Sequence, residues 1–267
     1  MVFIPIHDAN PLRSIKRPYV TWMLLITNVL VYFLIQVGGF VGQPSRASVF
    51  SFGLTPAYFF DSISPPTMVV PDLLALITYS FLHGDFWHLA GNMIFLWVLG
   101  DNVEDALGHL RYFAFYILCA MAAGYAYVLS DPTSQSPVIG ASGAVAGNVA
   151  AYLILHPRAK MWVLLFARVP LRLRAVYVLG IWIVFQVGAV FAAGEGEVAW
   201  WSHIGGLATG AVLVVLMRRR GVKLFDRGLP AMVAATPEEA TPATPTGETP
   251  APSIEAPPIN HRKGPWE

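Results

Sequence analysis

The chain has little charge. Only 12% of its 267 residues are Asp, Glu, Lys or Arg, where soluble domains carry about a quarter. The charges that exist are clustered, and the uncharged runs between them exclude an ordinary soluble domain. Cysteine is nearly absent as well. Cys119 stands alone inside an apolar run, so no disulfide framework forms within the chain. There is no His-Glu-x-x-His pair for a zinc site. Asp101 has no second intramembrane aspartate as a partner, and no internal repeat of the transporter kind is visible. The basic N-terminal segment runs straight into a full-length apolar span, so no cleavable signal peptide is expected.

Apolar residues make up 55% of the chain. Spans are expected at Tyr19–Gly38, Phe86–Val98, Tyr112–Leu129, Ile139–Leu155, Ala175–Ala193 and Val198–Met217. The fold class expected is an all-α polytopic membrane protein with six transmembrane helices. Residues 1–18 would form a cytoplasmic N-terminal segment, 19–220 the membrane domain, and 221–267 a Pro/Ala/Thr-rich disordered cytoplasmic tail. The connection over 39–86 is too apolar for a solvated loop, and Leu73–Leu82 is too short to span alone, so part of it is expected in the interface. Basic residues gather before span one, between spans four and five, and after span six. That bias places both termini inside; Arg46 alone falls on the other side.

The organising stretch is Gly140-Ala141-Ser142-Gly143-Ala144-Val145-Ala146-Gly147. A polar side chain in a span needs a partner. In the expected topology Ser142, His203, His88 and Asn92 all lie near the outer ends of even-numbered spans, at one depth. His88 and Asn92 are four apart and share a helix face. Gly143 and Gly147 form a small-residue stripe on span four, and Gly206 and Gly210 continue a stripe from His203 on span six. Such stripes let membrane helices approach closely.

A serine hydroxyl is a weak nucleophile until a base takes its proton, and histidine is the usual base. Ser142 also opens a helix, where free backbone N–H groups and the dipole favour developing negative charge. With His88 and Asn92 as further donors, these groups would hold the oxyanion of an attacked acyl carbonyl. No Asp or Glu lies in a span where it would orient His203, so a dyad is expected. Asn28, Asn148 and Gln186 read as helix–helix glue, and His83 as interfacial, with some claim on function.

These residues carry a resemblance. The sequence resembles the rhomboid intramembrane serine proteases over roughly residues 19–218. The matching motifs are Gly140-Ala141-Ser142-Gly143, His203-Ile204-Gly205-Gly206 with Gly210, and His88-Leu89-Ala90-Gly91-Asn92 followed by Gly100 and Glu104. The resemblance implies a six-helix core with a water-accessible cavity open to the outside. It implies Ser142 as nucleophile, His203 as general base, and His88, Asn92 and the Ser142 N–H as the oxyanion hole. No cofactor or metal is implied. Partners would be the lipid bilayer and single-span membrane proteins cut in or beside their helix, with no nucleic acid; the membrane would be the inner cell membrane. The chain departs from the family in having Leu74-Ala75 where Trp-Arg is common, Ala146 where some members stack an aromatic on the histidine, and Ser202 where Ala is commoner. The rival reading is a non-catalytic protein on the same scaffold that binds transmembrane helices.

Overall fold

A computed structural model describes residues 3–37, 45–60, 70–192 and 199–226. The expected disordered tail beyond 226 lies outside the described residues. The described chain is mostly helical. Strand β1 (Phe3–Asp8) precedes helix α1 (Tyr19–Leu30), which widens into a π-helical turn over Val31–Gln36. Short helices α2 (Arg46–Phe52), α3 (Pro56–Phe59) and α4 (Asp72–Thr78) follow. Then come α5 (Phe86–Leu107), α6 (His109–Ser130), α7 (Ser142–Leu155), strands β2 (Lys160–Leu165) and β3 (Val169–Arg174), α8 (Ala175–Ala192) and α9 (Trp200–Met217).

Among the described residues four helical segments are long and apolar enough to cross a membrane: Tyr19–Gln36, His109–Ser130, Ala175–Ala192 and Trp200–Met217. Helix α5 has the length but carries Asp101, Glu104 and Asp105 in its last two turns. Helix α7 has only 14 residues, about 21 Å at about 1.5 Å per residue. Nearly all of α7 is buried among its neighbours. It is the axis of the bundle, flanked by α5, α6, α8 and α9.

Close approach of α7 and α9 follows from glycine. A Cβ on Gly206 would collide with the Gly143 carbonyl oxygen, and one on Gly210 with the Gly147 carbonyl oxygen. On α9's other side, a Cβ on Gly205 would lie 2.6 Å from Ala126 Cβ of α6. Glycine is therefore required where α9 slots between two helices. The α5–α6 corner is turned at Gly108, whose φ of +86° suits glycine.

The N-terminal segment is more ordered than a polar leader. Strand β1 pairs antiparallel with β2, and β2 with β3, to give a sheet at the end of the bundle where α7 finishes. Pro5 and Pro170 both lie on the outer strands, where a missing N–H costs least. Met161 and Val163 are buried while Lys160 and Trp162 face out, a period-two pattern. Residues 221–226 also belong with the bundle: Phe225 and Asp226 donate backbone N–H groups to Ile154 and Leu155 carbonyls, and Asp226 pairs with Arg13 at 2.7 Å.

Candidate active site

Helix α7 starts without a side-chain cap. Gly140, at φ +128°, turns the chain sharply into it, and Gly140's N–H is held by the Tyr79 carbonyl at 2.9 Å. The first-turn N–H groups at Ser142, Gly143 and Ala144 therefore precede the helix's own hydrogen bonds, the first being Val145 to Ala141. Ser142 occupies this end, partly exposed.

Across the glycine contact from α7, His203 Nε2 lies 2.9 Å from Ser142 Oγ. The other ring nitrogen, Nδ1, lies 2.6 Å from Gln186 Oε1 on α8. His203 and Gln186 are 8% and 4% exposed. The His203 ring is flanked by Trp182 of α8 and Trp200 of α9, with centroids 6.1 and 5.9 Å away. Ala146 supplies no aromatic here; the two tryptophans stand beside the ring instead.

His88 approaches from α5. Asp85 caps that helix by accepting the N–H groups of Trp87 and His88 at 2.7 and 2.9 Å, which fixes where the His88 side chain begins. The Gly84 N–H donates to His88 Nδ1 at 3.4 Å. In the neutral ring this leaves the proton on Nε2. That Nε2 lies beside Gly140: a Cβ on Gly140 would be 2.8 Å from it and 3.7 Å from Ser142 Oγ. Asn92, one turn along α5, is buried, and its Nδ2 has no hydrogen-bond partner. A buried amide donor without a partner is costly, so this one is available to something that enters the site.

Behind His88 sits His83, wholly buried, with both ring nitrogens unpartnered and its ring 5.3 Å from that of His88. Its backbone is clamped by Gln36, whose amide accepts the His83 N–H at 2.8 Å and donates to the His83 carbonyl at 3.1 Å. The π-helical end of α1 is thereby stapled to the loop that leads into the site. Ser202 Oγ lies under α7, 2.9 Å from where a Cβ on Gly143 would be. The first loop is anchored by apolar packing of Ala75, Leu76 and Tyr79 with Leu54 and Val128; of the Leu74-Ala75 pair, Ala75 joins this contact and Leu74 is exposed.

The structure thus brings Ser142, His203 and His88 around Gly140, with Asn92 on the same helix as His88. The four glycines read as packing residues lie in the α7–α9 contact. Asn148 of α7 accepts from Tyr112 of α6 at 3.0 Å and so joins two helices, whereas Asn28 donates within its own helix to Leu24. Gln186 also joins two helices, α8 and α9, and its partner there is the His203 ring. One amide in an apolar run was its only sequence signal.

Comparison with known proteins returns one family. The family model for the rhomboid domain matches residues 71–220. The chain is 30% identical over 153 residues to the protein named Rhomboid protein 1, mitochondrial, of Saccharomyces cerevisiae, covering 54% of this chain and 41% of that one. It is 28% identical over 164 residues to RHOMBOID-like protein 12, mitochondrial, of Arabidopsis thaliana, covering 55% and 47%. It is 26% identical over 137 residues to Rhomboid protease GluP of Bacillus subtilis, covering 51% and 24%. The chain spans less than half the length of these relatives.

Proposed function

The chain belongs to the rhomboid family, and on that premise we propose that it is an intramembrane serine endopeptidase that cuts single-span membrane proteins in or beside their transmembrane helix. The observation that carries the reading is the 2.9 Å contact between Ser142 Oγ and His203 Nε2 at an uncapped helix N-terminus.

His203 Nε2 takes the hydroxyl proton as Ser142 Oγ attacks the scissile carbonyl carbon. The oxyanion accepts hydrogen bonds from Asn92 Nδ2, His88 Nε2 and the Ser142 N–H. His203 then gives the proton to the leaving amine, and water clears the acyl-enzyme with the same base. The Asn92 amide supports this, since its Nδ2 is a buried donor one turn from His88 with no hydrogen-bond partner among the described residues.

We place six helices across the bilayer (α1, α5, α6, α7, α8 and α9), with both termini inside. The basic residues of the β2–β3 hairpin and of the end of α9 support this orientation. Helix α7, about 21 Å long, is shorter than a hydrocarbon core of about 30 Å. With its C-terminus at the inner surface, Ser142 would lie below the outer surface, reached by water from outside the cell membrane.

The test is labelling of the purified full chain in lipid by a serine-directed fluorophosphonate, with Ser142→Ala alongside. Labelling of the parent and not of the variant supports an activated Ser142. No labelling of a folded parent would sink the protease reading and favour a helix-binding protein.

A further inference from the structure

We infer that Gln186 is a positioning residue for the catalytic base, a third member behind Ser142 and His203 supplied by α8. The inference rests on the protease reading of the site.

The argument starts from what an amide oxygen does. Gln186 Oε1 has lone pairs and no proton, so at 2.6 Å from His203 Nδ1 it accepts. The proton of the neutral imidazole is then on Nδ1. That leaves a lone pair on Nε2, the atom 2.9 Å from Ser142 Oγ. A neutral histidine with no such partner divides its proton between the two nitrogens, and the wrong tautomer points an N–H at the serine. The Gln186 carbonyl selects the tautomer that accepts the serine proton, and its dipole steadies the imidazolium once the proton has moved.

Burial makes the contact more than incidental. The other buried positions of α8 are Ala175, Val178, Leu179 and Ala189, all apolar. Gln186 is the only side-chain amide of that helix, and it is turned inward. A buried amide stands against its desolvation cost only where it has a partner, and the partner of Gln186 is the base. The tryptophans at 5.9 and 6.1 Å limit the plane of the ring but do not choose which nitrogen is protonated.

The experiment measures fluorophosphonate labelling of the full chain in lipid, separating the maximal rate constant from the half-saturating concentration. It compares the parent with Gln186→Leu, Gln186→Met and Gln186→Glu, each with its thermal unfolding. Leu and Met remove the acceptor while keeping an apolar side chain of similar size. Both should lower the maximal rate by about 10- to 100-fold with the half-saturating concentration within about twofold. Gln186→Glu restores an acceptor of the same reach. It should label faster than Leu or Met even where its unfolding temperature is lower, because an acidic side chain is costly to bury. A packing role would give the reverse order, with Leu and Met near the parent and Glu the worst, and that order overturns the inference. Leu and Met variants within twofold of the parent also overturn it, while Ser142-dependent labelling of the parent keeps the protease reading intact. A folded parent that never labels removes both.

Discussion

The two ends of the bundle treat their buried polar groups in opposite ways. At the sheet end the buried carboxylates are all engaged. Asp105 accepts the N–H groups of Arg13, Ser14 and Ile15. Glu104 accepts from Val20 N, Thr21 N and Thr21 Oγ1 and meets His109 Nδ1 at 2.5 Å. It thus does for α1 what a capping side chain does, since Pro18 offers none. Asp8 takes Tyr152 OH at 2.5 Å and Asn102 Nδ2 at 3.0 Å, tying β1 to α5 and α7. At the other end some groups are left open: among the described residues Asn92 Nδ2 and both His83 ring nitrogens have no partner. Buried polar groups with every bond made hold a fold together, and an unpartnered buried donor beside a candidate nucleophile is a group a ligand can use.

The comparison breaks most sharply at the dyad. His203→Ala should abolish Ser142 labelling by about 10⁴-fold or more, as fully as Ser142→Ala, because the two act as one unit. Appreciable labelling without His203 would end the dyad. Asn92→Ala should cost about 10²- to 10³-fold in cleavage of a model transmembrane substrate. The same variant should unfold at or above the parent's temperature, because it removes a buried donor that has no partner. A loss of stability there would return Asn92 to the structural class.

Glu104→Ala should show the converse. It strands the N–H groups that open α1, and should lower unfolding free energy by about 3 kcal/mol. Labelling by the molecules that remain folded should stay within about twofold of the parent, since the site is at the far end of α5. A catalytic defect at full stability would erase the distinction between the ends.

The smallest effect concerns pH at the sheet end. Burial raises the Asp8 carboxyl from 3.8 to about 6. Burial lowers His156, just past α7, from 6.5 to about 4. The folded state therefore keeps the Asp8 proton longer than the unfolded chain does, and gains stability as pH falls from about 6 toward 3.8. His156 is held neutral while the unfolded chain takes up a proton, so its contribution is lost as pH falls from 6.5 through about 4. The two oppose each other between about pH 4 and 6. Between pH 7 and 4.5, Asp8→Asn should lose more unfolding temperature than the parent, and His156→Gln less, by a few degrees each. The opposite order in paired melts would contradict the assigned burial.

Much of the site was legible because it lies in local patterns. Ser142 stands among glycines, His88 and Asn92 are four apart, and His203 starts a glycine stripe; each is a short-range statement about one helix. The sheet was less legible, although its signal was present: Lys160-Met161-Trp162-Val163 and Leu171-Arg172-Leu173-Arg174 alternate with period two. Their charge drew them into a basic connection, and their partner, β1, lies more than 150 residues away. The clamp of Gln36 on His83 joins residues 47 apart, and nothing near either one announces it.

The sequence by itself determined that the chain is a mostly helical, polytopic membrane protein, how charge is distributed along it, and which segments are apolar. Those are properties of single residues and of their transfer from water, and they add along the chain. Only the tertiary structure decided which buried polar groups are paired and which are left open, that β1 closes a sheet with the α7–α8 connection, and that Gln186 faces His203. Each of these depends on how far one helix is rotated and how closely it approaches another. Packing among all of them sets that angle and distance, and the order of residues in one helix does not encode it.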